Sequence, residues 1–274
     1  MITKSKKRLL FLFLSLLIIS YFTGCIFIHK EKETQKNKKK ETVKKKNAKK
    51  ASKIPTAEDY YKKAMEYYEK ENYFYAEPEF KKVKDNFPLS SYATMAELKI
   101  ADCYYFQKKY EEAGLSYENF KKFHPKHPRI PYTEYQIGMC YFKQIKSIDR
   151  DQLPTEKTIV QFRYLIAKYP DSPYVKDCQK KIAACQKKLV KNEFYIGNFY
   201  FKSKNYNAAI SRFRSLLENY PPSEFDSKVI FYLGKCYLNL QNKTQAKSAF
   251  LIITEKYPDT EYAKEAKKIL ESLD

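Results

Sequence analysis

From Ala57 onward the chain repeats a fixed pattern of small, aromatic and polar positions. A small residue stands at Ala64, Ala101, Gly138, Gly197 and Gly234, and a tyrosine follows three residues later at Tyr67, Tyr104, Tyr141, Tyr200 and Tyr237. Residues three apart share one face of a helix. Further on come Ala76, Ala113, Ala209 and Ala246, then the aromatics Phe80, Tyr117, Phe213 and Phe250, then Pro88, Pro125, Pro221 and Pro258. The pattern predicts pairs of helices. Small residues let the two backbones approach, and the proline, which lacks a donor, ends the second helix. Short polar stretches such as Lys70-Glu71-Asn72 and Lys202-Ser203-Lys204-Asn205 mark the turns inside the pairs.

The third unit departs from the rule. Phe162 and Pro170 keep their mutual spacing, but extra residues separate Gly138 from Phe162, near the polar stretch Ser147–Thr155. A second insertion separates Pro170 from Gly197, and neither Pro nor Gly interrupts Tyr174–Ile196. The first helix of the fourth unit is therefore expected to be extended, running from about Pro173 to Lys202, and residues Thr260–Leu273 are expected to form a terminal helix. One hairpin cannot bury its apolar face alone, so units of this kind stack. The fold class follows: all-α, a tetratricopeptide (TPR) helical-hairpin solenoid of five repeats, with an extended helix at the start of repeat four and a C-terminal capping helix. Residues 57–170 hold repeats one to three, and residues 171–274 hold the long helix, repeats four and five and the cap.

The N-terminus has a different character. Lys4, Lys6, Lys7 and Arg8 precede the apolar run Leu9–Phe22, and Thr23-Gly24-Cys25 places small residues before a cysteine. This is the layout of a secretory leader, residues 1–24. A cysteine in that place resembles the lipobox of bacterial lipoproteins, with Cys25 as the lipidated residue. Ile26-Phe27-Ile28 continue the run, and Leu9–Ile28 is long enough to span a bilayer, so an uncleaved signal anchor is the competing reading. Lys30–Lys53 is Lys-rich and nearly free of apolar residues, too poor in them to fold. It is expected to be a solvated tether within residues 25–56.

Net charge changes the picture less than its total suggests. The chain is +21, but much of the excess lies in the leader and tether, which leaves the repeat region only modestly basic. The tether has no interleaved aromatics, so nucleic acid is not an expected partner.

Several features together resemble the BamD (YfiO/ComL) family. They are the lipobox followed by five TPR units, the motif His124-Pro125-Lys126-His127-Pro128, the Asp149-Arg150-Asp151 cluster in the unit-three loop, Tyr169-Pro170-Asp171-Ser172-Pro173-Tyr174 leading into a long helix, and Tyr206-Asn207-Ala208-Ala209-Ile210-Ser211-Arg212 in unit four. The resemblance implies an outer-membrane lipoprotein, lipid-anchored and facing the periplasm, in the β-barrel assembly machinery. Its implied partners are the POTRA domains of the barrel subunit, other assembly lipoproteins and unfolded outer-membrane proteins. It implies docking through the C-terminal units, where Arg212 matches an arginine that pairs with a partner's acid, and substrate reception by the N-terminal units.

Tyr60, Tyr67, Tyr68 and Tyr75 are the candidate lining of that substrate groove, since aromatics are favoured anchors, with part of the set expected in plain core. Cys103, Cys140 and Cys236 each stand two residues after the small residue and are expected as buried thiols, as are Cys178 and Cys185. His124 and His127, flanked by prolines, are expected to shape a turn rather than to bind metal. No Gly-rich phosphate loop, HExxH or CxxC occurs, and the paired carboxylates are expected in loops and on solvated faces. The chain is read as a non-enzyme without a cofactor. Another periplasmic TPR lipoprotein, a coordinator of cell division or polymer export, is the alternative.

Overall fold

The computed structural model of the protein describes residues 55–220 and 222–273. The leader, Cys25 and nearly all of the tether lie outside the described residues. Residues Ala57–Asp274 form one compact unit.

Five hairpins follow in order. They are α1 (Ala57–Glu69) with α2 (Tyr73–Asn86), α3 (Ser91–Phe106) with α4 (Tyr110–Phe123), α5 (Ile130–Lys143) with α6 (Leu153–Lys168), α7 (Val175–Lys202) with α8 (Tyr206–Asn219), and α9 (Asp226–Asn239) with α10 (Lys243–Lys256). A last helix, α11 (Glu261–Leu273), closes the array, and no strand occurs among the described residues. Each helix packs on its neighbours in sequence. The first helices of some adjacent hairpins also touch, α1 with α3 and α7 with α9. The first helices therefore line the inner side of the stack. The long helix spans 28 residues and starts two residues after its expected beginning.

The repeated small residue has a direct packing cause. A Cβ on Gly138, Gly197 or Gly234 would stand 2.3, 2.4 or 2.7 Å from the ring of Phe162, Phe213 or Phe250. The rings lie fully buried against the opposing backbone. In units one and two, Ala64 and Ala101 take the same place. In unit three the recurring alanine of the second helix is replaced by Thr158, which is fully buried and donates its hydroxyl to the Pro154 carbonyl at 2.7 Å.

The turn inside each hairpin repeats in four of the five units. Glu71, Lys108, Lys204 and Gln241 adopt left-handed backbone, with φ between 58° and 63°. In each case the next residue donates its N–H to the carbonyl of the motif tyrosine: Asn72 to Tyr67, Lys109 to Tyr104, Asn205 to Tyr200 and Asn242 to Tyr237, all at 2.9 Å. This is the Schellman arrangement that closes a helix C-terminus. Unit three has no such residue, because its polar insertion replaces the turn. Gln152 Nε2 donates to the Ser147 and Arg150 carbonyls, and Asn192 of α7 donates to the Ile148 carbonyl at 2.6 Å, pinning the loop to the long helix.

The first and last described elements differ from the rest. The residue before each small residue is Ile100, Ile137, Ile196 or Leu233 in units two to five, and Ile100, Ile137 and Leu233 pack against the preceding hairpin. In unit one it is Lys63, which is exposed and pairs with Glu79 at 3.0 Å. At the other end α11 buries Ala263 and Ala266 and turns Lys264, Lys267 and Lys268 to solvent.

Candidate partner-binding surfaces

The four tyrosines of unit one divide in two. Tyr60, Tyr67 and Tyr75 belong to one aromatic face. Tyr67 lies 5.9 Å from Tyr75, Phe74 lies 5.5 Å from Tyr75, and Tyr60 lies 5.9 Å from Phe87, measured between ring centroids. Phe74 and Tyr75 are among the most exposed aromatics of the described residues, at 69 % and 59 %. Among the described residues no hairpin precedes unit one on this face.

Tyr68 points elsewhere, toward a buried hub. The Asp102 carboxylate, 2 % exposed, accepts hydrogen bonds from Tyr117 and Tyr132 at 2.7 Å and from Tyr68 at 3.2 Å, and it pairs with Lys99 at 3.2 Å. The Lys99 ammonium also stands 4.0 Å from the centre of the Tyr68 ring. Burial first, and the Asp102 charge second, push all three tyrosine hydroxyls well above their ordinary value, so each remains a donor. The hub draws on α1, α3, α4 and α5 and so ties units one, two and three together.

Asp102 is not alone. Glu134 on α5 is fully buried and takes hydrogen bonds from Gln161 at 2.7 Å and Lys121 at 3.4 Å. Glu79 on α2 is buried and bridges Lys63 and Lys82. These three carboxylates are single acids on helices, buried rather than solvated. They are held inside because each has charged or hydrogen-bonding partners, the condition for burying an ion.

Arg212 lies on α8, about half exposed. Its Nη1 stands 3.6 Å from Glu193 Oε2 on α7, too far for a hydrogen bond, and the guanidinium has no hydrogen-bond partner among the described residues. The position has an exact counterpart: Glu193 and Arg212 occupy the same places in unit four as Glu134 and Gln161 in unit three. The unit-three pair is joined at 2.7 Å, the unit-four pair only by charge. Arg212 therefore balances Glu193 by charge without committing its donors to it.

The remaining candidates are structural. Cys103, Cys140, Cys178, Cys185 and Cys236 are free and buried. Burial lifts the thiols of Cys103, Cys140, Cys178 and Cys236 to about 12 and that of Cys185 to about 11. His124 Nε2 lies 2.7 Å from Glu97, and His127 Nδ1 accepts the Arg129 backbone N–H at 3.1 Å, so both shape the corner after α4. No helix among the described residues is long and apolar enough to cross a membrane.

A family model described as outer membrane lipoprotein, YfiO, matches residues 54–249. The chain belongs to the YfiO family. The match runs from just before α1 into α10, across all five hairpins, with the Asp102 hub and Arg212 inside it. Curated relatives include the outer membrane protein assembly factor BamD of Caulobacter vibrioides, 30 % identical over 141 residues, or 52 % of this chain and 46 % of that one. The BamD of Rickettsia prowazekii is 33 % identical over 152 residues, 56 % of this chain and 61 % of that one. The chain thus spans about half the length of the curated relatives it matches. Among solved structures, the TPR2AB domain of yeast Sti1 in its complex with pHSP90 aligns with a TM-score of 0.42 and 13 % identity, covering 78 % of this chain and 83 % of that one.

Proposed function

We propose that this YfiO-family chain is a non-enzymatic scaffold for outer-membrane β-barrel assembly. Cys25 carries its lipid anchor at the outer membrane, and the repeats face the periplasm. Units four and five bind the POTRA domains of a barrel protein through Arg212, beside other assembly lipoproteins. The open aromatic face of unit one, Tyr60, Tyr67 and Tyr75, receives extended segments of unfolded barrel proteins. Tyr68 stands behind that face and fixes its position through Asp102. The observation that carries the reading is the family match across all five hairpins. A half-exposed guanidinium with uncommitted donors supports the docking role of unit four.

The test is cross-linking of C-terminally tagged protein in envelopes, followed by identification of what is captured. A POTRA-containing protein cross-linked to units four and five is the expected result. The informative variant is Arg212→Gln, which rebuilds the Gln161–Glu134 pair of unit three and removes only the charge offered to a partner. Arg212→Glu would also set two acids against each other inside the hairpin, so its effect would mix folding with docking. Capture of a cell-division or export component in place of a POTRA protein would overturn the assembly reading.

A further inference from the structure

The turns that join one hairpin to the next lie on one edge of the stack, and the turns inside hairpins lie on the other. In units one to three the two edges differ in charge. Residues 69–72, 107–112 and 143–151, on the intra-hairpin edge, hold six bases and six acids. Residues 84–90, 122–129 and 168–173, on the joining edge, hold five bases and two acids. The central corner, 122–129, has Lys122, Lys126 and Arg129 and no acid, and none of the three has an acidic partner among the described residues.

Two apolar side chains stand out on the same edge. Leu89, at the tip of the first joining turn, is fully exposed, and Phe123, at the end of α4, is 69 % exposed. Lys122 stands 5.8 Å from the Phe123 ring centre, and Lys84 shares a surface depression with Phe123. Next along the edge, a cavity of about 490 Å³ opens between the second and third joining turns. Arg129 lines it from one turn and Lys168 and Asp171 from the other, so cations outnumber the single acid, with Tyr132, Tyr169 and Tyr174 in its walls.

We propose that this joining edge of units one to three rests on an anionic phospholipid surface. Leu89 and Phe123 enter the headgroup boundary, and Arg129 and Lys168 hold a lipid phosphate between the two turns. Isolated apolar tips among unpaired cations are what a lipid interface takes: the tips gain burial and the cations gain the surface potential. An acidic protein would supply the charge but would not call for a leucine at a turn tip. The family's description as an outer membrane lipoprotein places such a surface within reach of the chain.

The chain contains no tryptophan, so a single introduced one reports its own surroundings. Full-length protein carrying Phe123→Trp, or in a second version Leu89→Trp, is reconstituted through its own N-terminal segment into vesicles of phosphatidylcholine with a minority of phosphatidylglycerol. Acyl-brominated phosphatidylcholine serves as quencher, and Phe106→Trp on the opposite edge of unit two serves as reference. Quenching at positions 123 and 89 but not 106, lost in pure phosphatidylcholine and at high salt, is the expected result. Adding Lys126→Ala or Arg129→Ala should lower the docked-to-undocked ratio about fivefold each. Equal quenching at 123 and 106, or none at either, would overturn the proposal. So would a soluble acidic polypeptide that displaces the lipid at vesicle-level charge density, since the edge would then be a protein site.

Discussion

Units one to three and units four and five are built on one repeat but joined differently. Eight polar or charged side chains are buried in the first group, from Glu79 to Thr158, and two in the second, Asp226 and Ser227. Between units four and five the joint is apolar: Val190, Phe213, Leu216, Val229 and Leu233 pack together, with Tyr232 against them. Between units one, two and three it centres on a carboxylate shared by three tyrosines and a lysine. Apolar contact is non-directional and tolerates small slips, whereas a hydrogen-bonded hub has one good geometry. The N-terminal units are thus fixed in mutual angle. The C-terminal units are joined mainly by apolar burial, with no shared buried carboxylate between them.

Breaking the hub should have the largest effect. Asp102→Ala leaves three buried hydroxyls and the Lys99 ammonium without their acceptor, and its cost is expected at about 3–5 kcal/mol in urea unfolding. Asp226 accepts from Ser223 Oγ at 2.9 Å and from Tyr257 at 3.3 Å, and Asp226→Ala is expected to cost only about 1–2 kcal/mol. The buried thiols localise the damage. At neutral pH they are protonated and shielded, because burial holds Cys103 and Cys236 at about 12. Asp102→Ala should accelerate alkylation of Cys103 and leave Cys236 unchanged. Equal acceleration at both would mean that the two halves unfold as one and that the difference between their joints has no mechanical consequence.

The next effect probes the small residue. Alanine stands at this place in units one and two and glycine in units three to five. Gly197→Ala gains about 0.5–1 kcal/mol of helix preference. It also forces a Cβ to 2.4 Å from a Phe213 ring that is wholly buried, and such overpacking costs about 1–3 kcal/mol. A net loss of about 1 kcal/mol is expected, read as a shift in unfolding midpoint. A gain would show that Phe213 can retreat as the rings opposite Ala64 and Ala101 do, and that the glycines do not distinguish the halves.

These particulars mark what a sequence can and cannot disclose. The hairpins, the insertion in unit three, the extended α7 and the cap were legible because small residue, aromatic and proline recur at fixed distances, and each has a single steric reason. The buried thiols were legible for the same reason, being tied to the small residue. Asp102 was not, because a lone acid in a helix looks solvated until three tyrosines from other helices arrive around it. Tyr68 was grouped with Tyr60, Tyr67 and Tyr75 on nearness in sequence, yet it faces the opposite way. Arg212 was legible as a candidate only through family resemblance. Its charge contact with Glu193 crosses between two helices of the hairpin, which the resemblance alone does not show.

That equivalence gives the third expectation. An exposed pair such as Arg212–Glu193 contributes about 0.2–1 kcal/mol, and Arg212→Glu should cost about 1 kcal/mol by opposing two acids. Arg212→Gln should leave stability within about 0.5 kcal/mol, since a surface change away from special features has little effect. If Arg212→Gln destabilises unit four as much as Arg212→Glu, the arginine is a hairpin brace, and its free donors are incidental to docking.

The smallest effect belongs to the feature the two halves share. Glu71 in unit one and Lys204 in unit four hold the same left-handed backbone, with φ of 58° and 60°. Each donates its N–H to the carbonyl of the penultimate helical residue in the same way: Glu71 to Tyr68 and Lys204 to Phe201, both at 3.0 Å. A side chain in this region costs about 1–2 kcal/mol, which glycine relieves, while glycine loses about 0.5–1 kcal/mol more backbone entropy on folding. Glu71→Gly and Lys204→Gly should therefore each raise stability by about 0.5 kcal/mol, and by equal amounts. Equal gains would confine the difference between the halves to their joints. A gain in unit four with none in unit one would mean that the hub already holds the first hairpin so firmly that its turn no longer limits it, which would carry the contrast from the joints into the hairpins themselves.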